Sequence, residues 1–197
     1  MDALPGILIA AVALAGSPGS ATLSLAAAGA AFGARQVIGY LAGIVVGMVA
    51  VMAIVASGTV GLLLALPGVA PVVAILAASY FLWLAWRIAT ALPLTEESAR
   101  REPPTMAAGL LLSLVNPKGY VAMAALYSGF TLLPDRLGAD VVLKLVMLTV
   151  IIAAVNVAWL LAGAALTRFF RDPRSNRIIN VAFALSLVGS VALAFVV

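Results

Sequence analysis

The chain has 197 residues, of which 65% are apolar and 9% are charged, and it contains neither cysteine nor histidine. Soluble domains carry about 25% charged residues and are about half apolar, so a soluble domain of this size could not bury so many apolar side chains. The missing cysteine and histidine exclude a disulfide scaffold, a catalytic thiol and a Cys/His zinc site. The composition therefore predicts an all-α integral membrane protein without a metal or a cofactor.

The charged residues divide the chain into apolar stretches long enough to cross a bilayer, which takes about 20 helical residues. Residues 3–34 and 36–86 carry no charge, and a Pro/Gly-rich turn at 66–71 divides the second stretch into two spans. We therefore expect one transmembrane domain with six spans. It covers residues 1–197, with three spans within 1–92, a cytoplasmic loop at 93–105, and spans at 106–133, 141–166 and 178–197.

The basic residues predict the orientation of these spans. Eight lysines or arginines follow spans one, three and five, whereas only Arg136 and Lys144 lie on the opposite side. Basic loops stay cytoplasmic, so both termini are predicted to lie outside the cytoplasm of a bacterial inner membrane. Because the basic residues are spread over loops, the net charge of +4 does not indicate nucleic-acid binding. The expected partners are the lipid bilayer and a small-molecule substrate.

Two spans are interrupted at matching places, by Ser-Pro-Gly-Ser at residues 17–20 and by Asn-Pro-Lys-Gly at residues 116–119. Proline removes a backbone donor and clashes with the preceding helical turn. The two prolines are 117 − 18 = 99 residues apart, about half of the chain. We therefore predict two inverted three-helix repeats, each starting with a helix broken at proline, and a substrate site near the membrane midplane. Two ordinary proline kinks are the alternative.

Lys118 is the only ionisable residue deep in a predicted span. It lies 12 residues after Met106, about 18 Å along a helix, and a charge at that depth indicates a functional site. A lysine that only reaches carbonyls freed by Pro117 is the alternative. For Asn156, the alternative to a ligand is a hydrogen bond between helices. The candidate substrate-binding residues are Pro18, Gly19, Ser20, Thr22, Asn116, Pro117, Lys118 and Asn156.

Span two carries glycine at every fourth position, at Gly39, Gly43 and Gly47. Small residues at this spacing let helix backbones approach closely. We favour packing within the bundle as the interpretation, and the seam of a homodimer is the alternative.

Several segments match the motifs of a known family. Residues 18–23, Pro-Gly-Ser-Ala-Thr-Leu, resemble its Pro-Gly-Pro-(Asn/Asp)-Thr-Leu motif, with serine and alanine in place of the second proline and the Asn/Asp. Residues 43–47, Gly-Ile-Val-Val-Gly, are similar to its Gly-Ile-x-x-Gly helix. Residues 109–118 end in Asn-Pro-Lys and resemble its Gly-x-x-x-Asn-x-x-Asn-Pro-Lys motif. On these residues the chain resembles the LysE/RhtB family of small bacterial amino-acid exporters.

The resemblance implies a secondary transporter that exports amino acids or similar small metabolites across the inner membrane by proton exchange. No carboxylate lies deep in a predicted span, so Lys118 is the expected proton-exchanging group. An enzyme is not expected, because the chain has no histidine and no buried acid pair for an intramembrane hydrolase. A non-transport accessory or assembly subunit is the alternative, and a Lys118 that tolerates any replacement would favour it.

The predicted topology is testable with single cysteines, since the parent chain has none. Ser98→Cys in the 93–105 loop should react with a membrane-impermeant thiol reagent only from the cytoplasmic face, because basic loops stay there. Ala139→Cys, between spans four and five, should react only from the opposite face. Labelling both positions in right-side-out and inverted vesicles checks this, and the reverse pattern would refute the orientation.

Overall fold

The computed structural model describes residues 3–58, 68–90, 102–165 and 172–194. Over these residues the chain is helical and has no strand, so the all-α prediction is confirmed. The α-helices are α1 (Ala3–Gly16), α2 (Ser20–Phe32), α3 (Ile38–Ala56), α4 (Val69–Ala89), α5 (Met106–Leu114), α6 (Pro117–Gly129), α7 (Leu137–Ala165) and α8 (Pro173–Ala194), and a 3-10 turn at Ala34–Val37 precedes α3.

Both predicted interruptions are present. The chain bends by 56° between α1 and α2 and by 61° between α5 and α6. Pro117 is the first residue of α6. Proline fits this position because an N–H group there would have no intrahelical acceptor. Asn116 caps the same helix, and its side-chain oxygen accepts a hydrogen bond of 3.2 Å from the Lys118 N–H. The second break is therefore an ordinary helix start placed inside an apolar segment.

Two of the described helical segments, Ala34–Ala56 and Leu137–Ala165, are long and apolar enough to cross a membrane unaided. The number rises to four if each bent pair is taken as one span. These four correspond to predicted spans one, two, four and five. Predicted spans three and six correspond to α4 and α8, which have 21 and 22 residues. Most of the predicted cytoplasmic loop lies outside the described residues, at 91–101, and so do the first two residues of the predicted turn before α4, at 66–67.

Three helices begin earlier than the sequence predicted. Helix α4 begins at Val69, so Pro71 lies in its first turn rather than in the preceding loop. Proline fits there because the first N–H groups of a helix have no intrahelical acceptor. Helices α7 and α8 begin at residues 137 and 173 instead of about 141 and 178. The start of α8 is capped by Asp172, whose carboxylate accepts a hydrogen bond of 2.8 Å from the Ser175 N–H.

The long helices pack across the two halves of the chain. Helix α3 contacts both α5 and α6, whereas α7 contacts both α1 and α2. Helices α3 and α7 also contact each other, and α4 packs against α8. Two groups of buried apolar residues result. The first apolar cluster is Ile7, Ala11, Met48, Val51, Met52, Ala122, Met123, Leu126, Leu148 and Ile152, and the second apolar cluster is Leu25, Ala28, Val37, Tyr40, Ile44 and Leu160.

Glycine allows α3 and α5 to approach closely. A Cβ atom on Gly43 or Gly47 would overlap atoms of α5, and one on Gly109 would overlap the backbone of α3. Packing within the bundle is therefore confirmed for Gly43 and Gly47. Gly39 has no atom within 4 Å of its added Cβ, and a homodimer seam there stays a prediction.

Gly43 and Gly39 offer a matched test of this packing. Gly43→Ala should lower the free energy of unfolding by about 1–3 kcal/mol, because the methyl group forces α3 and α5 apart. Gly39→Ala should leave it unchanged or raise it slightly, since alanine is the better helix former. Thermal unfolding of both variants in detergent measures the difference. Equal melting temperatures would show that the α3–α5 contact does not depend on glycine.

Candidate functional site

The two helix breaks touch each other through one lysine. The Lys118 Nζ donates hydrogen bonds to the carbonyl oxygens of Ser17, at 2.6 Å, and of Pro18, at 3.3 Å. These carbonyls follow the end of α1, where a helix leaves its last carbonyls without intrahelical donors and carries partial negative charge. The alternative of a lysine bound to carbonyls freed by Pro117 is therefore wrong, because the acceptors belong to the first break.

Gly19 and Thr22 shape the first break. A Cβ atom on Gly19 would lie 3.0 Å from the Lys118 Nζ, so glycine leaves room for the lysine. The Gly19 N–H donates to the Thr22 Oγ1 at 2.9 Å, and the same hydroxyl donates to the Gly19 carbonyl at 3.2 Å. Thr22 therefore serves mainly to hold the start of α2.

Helix α7 also binds the end of α1. The Trp159 Nε1 donates a hydrogen bond of 3.2 Å to the Gly16 carbonyl oxygen. Sequence reasoning missed this contact. The only available signal was the position of Trp159, which is three residues after Asn156 and therefore on the same face of α7.

A cavity of about 50 Å³ lies beside the two breaks. One water molecule needs about 10–15 Å³ of such cavity space, so the cavity holds a few water-sized groups. Six of the eight predicted site residues line the cavity, namely Gly19, Ser20, Thr22, Asn116, Lys118 and Asn156. Pro18 and Pro117 lie outside its lining and produce the bends. Its apolar wall includes Met48, Met123 and Ile152 from the first apolar cluster and Ile44 from the second.

Two polar atoms in the cavity lining lack a hydrogen-bond partner within the described part of the chain. They are the Ser20 Oγ and the Asn156 Oδ1, on residues that are each 5% exposed. The Asn156 Nδ2 donates to the Ile152 carbonyl at 2.8 Å, within its own helix, which does not fit the alternative of a link between helices. A buried polar atom without a partner costs about 1–3 kcal/mol. These two atoms therefore indicate a place for a polar ligand.

The cavity combines features that suit a small zwitterion. An ammonium group has three N–H donors, and Lys118 uses two of them on the described carbonyls. The N-terminus of α2 adds positive partial charge next to it, while Asn156 offers a free acceptor. Within the described residues, no group of three or more His, Cys, Asp or Glu side chains could hold a metal ion.

Comparison with known proteins identifies the family to which the chain belongs. The family model of LysE type translocators matches residues 12–197. The chain belongs to the LysE family. It is 34% identical over 173 residues to the cysteine/O-acetylserine efflux protein of Salmonella typhimurium strain LT2, and 32% identical over 172 residues to that of Escherichia coli strain K12. Each match covers 87% of both chains. No solved structure matches the chain.

Membership of the LysE family confirms the predicted resemblance. It identifies a transporter and not an enzyme, as the sequence motifs implied. Together with the apolar helices, it makes the chain a multi-pass membrane protein.

A second polar cluster was missed. The sequence predicts that Asp140 and Lys144 are charges at the end of a span, but they lie inside α7 with exposures of only 4% and 2%. Their side chains form an ion pair of 2.7 Å. This LysE family protein therefore places a second lysine among its helices, and Lys144 is buried whereas Lys118 is half-buried. The four-residue spacing of an acid and a base was the available signal.

The bond between Thr22 and Gly19 generates a stability prediction. Thr22→Val keeps the side-chain shape but leaves the buried Gly19 N–H without its acceptor, so unfolding should become easier by about 1–3 kcal/mol. Thr22→Ser keeps the hydroxyl and should cost clearly less. Thermal unfolding in detergent compares the two variants, and equal losses would attribute the effect to packing alone.

Proposed function

We propose that this LysE family protein exports small amino acids with uncharged side chains, or close derivatives of them, across the bacterial inner membrane. The observation that carries the proposal is the cavity at which Lys118 and the unpartnered Ser20 and Asn156 meet. The names of two relatives support the substrate class, since both are cysteine/O-acetylserine efflux proteins. Cysteine and O-acetylserine each carry one α-carboxylate and one α-ammonium group.

The substrate carboxylate binds between Lys118 and the start of α2 in this proposal. The lysine has one N–H left after its two bonds to the carbonyls of Ser17 and Pro18. The first N–H groups of α2 also face no intrahelical acceptor, and the positive end of a broken helix attracts an anionic substrate group. A lysine and a helix start together neutralise one carboxylate.

The substrate ammonium binds to Asn156 and Ser20. The Asn156 Oδ1 accepts hydrogen bonds, and the Ser20 Oγ accepts or donates one. Both are buried and lack partners within the described structure. A substrate ammonium would remove the cost of leaving these atoms unpaired.

The substrate side chain lies against the apolar wall formed by Met48, Met123 and Ile152. A charged side chain would lose its hydration there without a compensating partner. The volume of about 50 Å³ also favours a short side chain such as that of cysteine. The lack of a partner for a charged side chain suits cysteine and O-acetylserine better than lysine or arginine.

The architecture we infer for transport is two inverted repeats, with six spans in one domain and both termini outside the cytoplasm. The contacts support it, because α3 packs on the broken span of the second half while α7 packs on that of the first. The α4–α8 contact also fits two related halves, because it joins the last helix of the first half to the last helix of the second half. Alternating access then needs the two halves to rock around the cavity between the breaks.

Lys118 is the proton-exchanging group in this mechanism. No aspartate or glutamate is among the cavity-lining residues of the described structure. Loss of its proton would weaken the bonds to the Ser17 and Pro18 carbonyls and change the charge that faces the substrate. Proton movement and substrate release would then share one group.

Purified protein in proteoliposomes tests the function with radiolabelled O-acetylserine. Lys118→Met keeps the length of the side chain but removes the charge, and a charged hydrogen bond contributes about 1.5–3 kcal/mol, so transport should fall about tenfold or more. Lys118→Arg should restore little, because arginine does not release its proton in the working range. Arg136→Met is the matched control, since it removes an exposed positive charge, and it should transport like the parent.

Three outcomes would contradict this mechanism in whole or in part. Full transport by Lys118→Met would make the lysine structural, and a protein without any flux would favour an accessory or assembly subunit. Full transport by Lys118→Arg would keep the binding role and remove the role in proton exchange.

A further inference from the structure

Met48 lies in the cavity wall where α3 passes the start of α6. A Cβ atom on Gly119 would lie 3.2 Å from the Met48 Sδ and 3.5 Å from its Cε. Gly119 directly follows Lys118 in the chain, and all three residues line the cavity. The thioether end of Met48 therefore lies beside the residue that follows the lysine of the proposed carboxylate site.

The exposed part of Met48 faces the cavity. Its neighbours one turn away on the same face of α3, Ile44 and Met52, are both 0% exposed, whereas Met48 is 8% exposed. In the walls that α6 and α7 contribute, Met123 and Ile152 are 2% and 4% exposed. Of the large apolar side chains that these three helices place in the wall, Met48 therefore has the most surface open to a ligand.

Met48 is also the part of the wall that can adapt. Isoleucine, as at Ile44 and Ile152, is β-branched and stiff at χ1, whereas methionine is unbranched and has three rotatable side-chain bonds. Met123 shares this flexibility but is almost completely buried in the first apolar cluster. The three atoms beyond the Met48 Cβ are therefore the part of the wall that a ligand could displace most easily.

We propose that Met48 is a specificity-determining residue that limits the length of the substrate side chain. Its Cγ, Sδ and Cε atoms occupy the space into which a longer uncharged side chain would extend. The proposal rests on the cavity being the substrate cavity of the proposed function. A short side chain such as that of cysteine fits beside the thioether, whereas a longer one such as that of O-acetylserine requires the thioether to move.

A graded series of zwitterions tests this limit. S-methyl-, S-ethyl-, S-propyl- and S-butylcysteine carry the same charges and differ by one methylene at a time. Each unlabelled compound competes with radiolabelled O-acetylserine for transport by the parent protein in proteoliposomes. A methylene buried against the wall strengthens binding about fourfold, whereas one that crowds Met48 weakens it. Inhibition should therefore stop increasing with length and fall before S-butylcysteine.

Shortening Met48 should move the limit. Met48→Ala removes three heavy atoms from the wall, so S-butylcysteine should inhibit about tenfold more strongly than it inhibits the parent, since additional methylenes become buried. Met52→Ala is the matched control. It removes the same three atoms from the same face of α3 and from the same first apolar cluster, but Met52 lies outside the cavity lining. Its inhibition series should equal that of the parent.

Protection of a single thiol by the ligand gives a second measurement that needs no flux. The parent chain has no cysteine, so Met48→Cys and Met52→Cys each introduce one thiol, which methyl methanethiosulfonate modifies in purified protein. O-acetylserine at about ten times its Kd should slow the modification of Met48→Cys about tenfold, because few sites are then free. It should leave the rate for Met52→Cys unchanged, since only Met48 lines the cavity.

Two results would overturn the role of Met48. They are equal inhibition of Met48→Ala and Met52→Ala by S-butylcysteine, and a modification rate of Met48→Cys that O-acetylserine does not change. The second result decides the question even if Met48→Ala is poorly folded. Both are distinct from a parent protein without flux, which would overturn the proposed function instead, because thiol protection reports binding alone.

Discussion

The contact of the Lys118 ammonium with the carbonyl oxygens of Ser17 and Pro18 is the interaction on which the arrangement of this protein depends. A broken helix in an apolar segment leaves carbonyls without donors, and a lysine at that depth needs acceptors. The first half of the chain thus supplies the carbonyl acceptors, and the second half supplies the ammonium donor. Because both groups are hard to bury alone, their pairing favours bringing the two breaks together, and the cavity forms beside them.

The buried polar groups of the bundle differ in how far their hydrogen-bonding capacity is used. Asp140 and Lys144 bind each other and backbone groups within residues 127–133. Ser20 and Asn156, in contrast, keep an unpartnered atom within the described structure, and both line the cavity. The unpaired groups suit a binding site, because a ligand that pairs with them removes the cost of leaving them unsatisfied.

The structure shows where the two residues that differ from the family motif lie. Ser20, which stands in place of the second proline, is the first residue of α2, a position where proline is also well accommodated. The replacement therefore keeps the bend and adds a buried hydroxyl to the cavity lining. Ala21, in place of the motif's Asn/Asp, lines the cavity without a polar group, so the charge on Lys118 is not balanced by an acid at this position.

The sequence by itself determined the helical class, the two breaks and six residues of the cavity lining, because proline, glycine and a lone lysine act locally and are conspicuous in an apolar chain. Tertiary structure alone decided which carbonyls Lys118 binds, since its acceptors lie about 100 positions earlier in the chain. It also decided that Asp140 and Lys144 are buried, which depends on residues 127–133 folding back over them. Sequence position cannot distinguish a charge at a span end that meets water from one that meets backbone groups of a neighbouring segment.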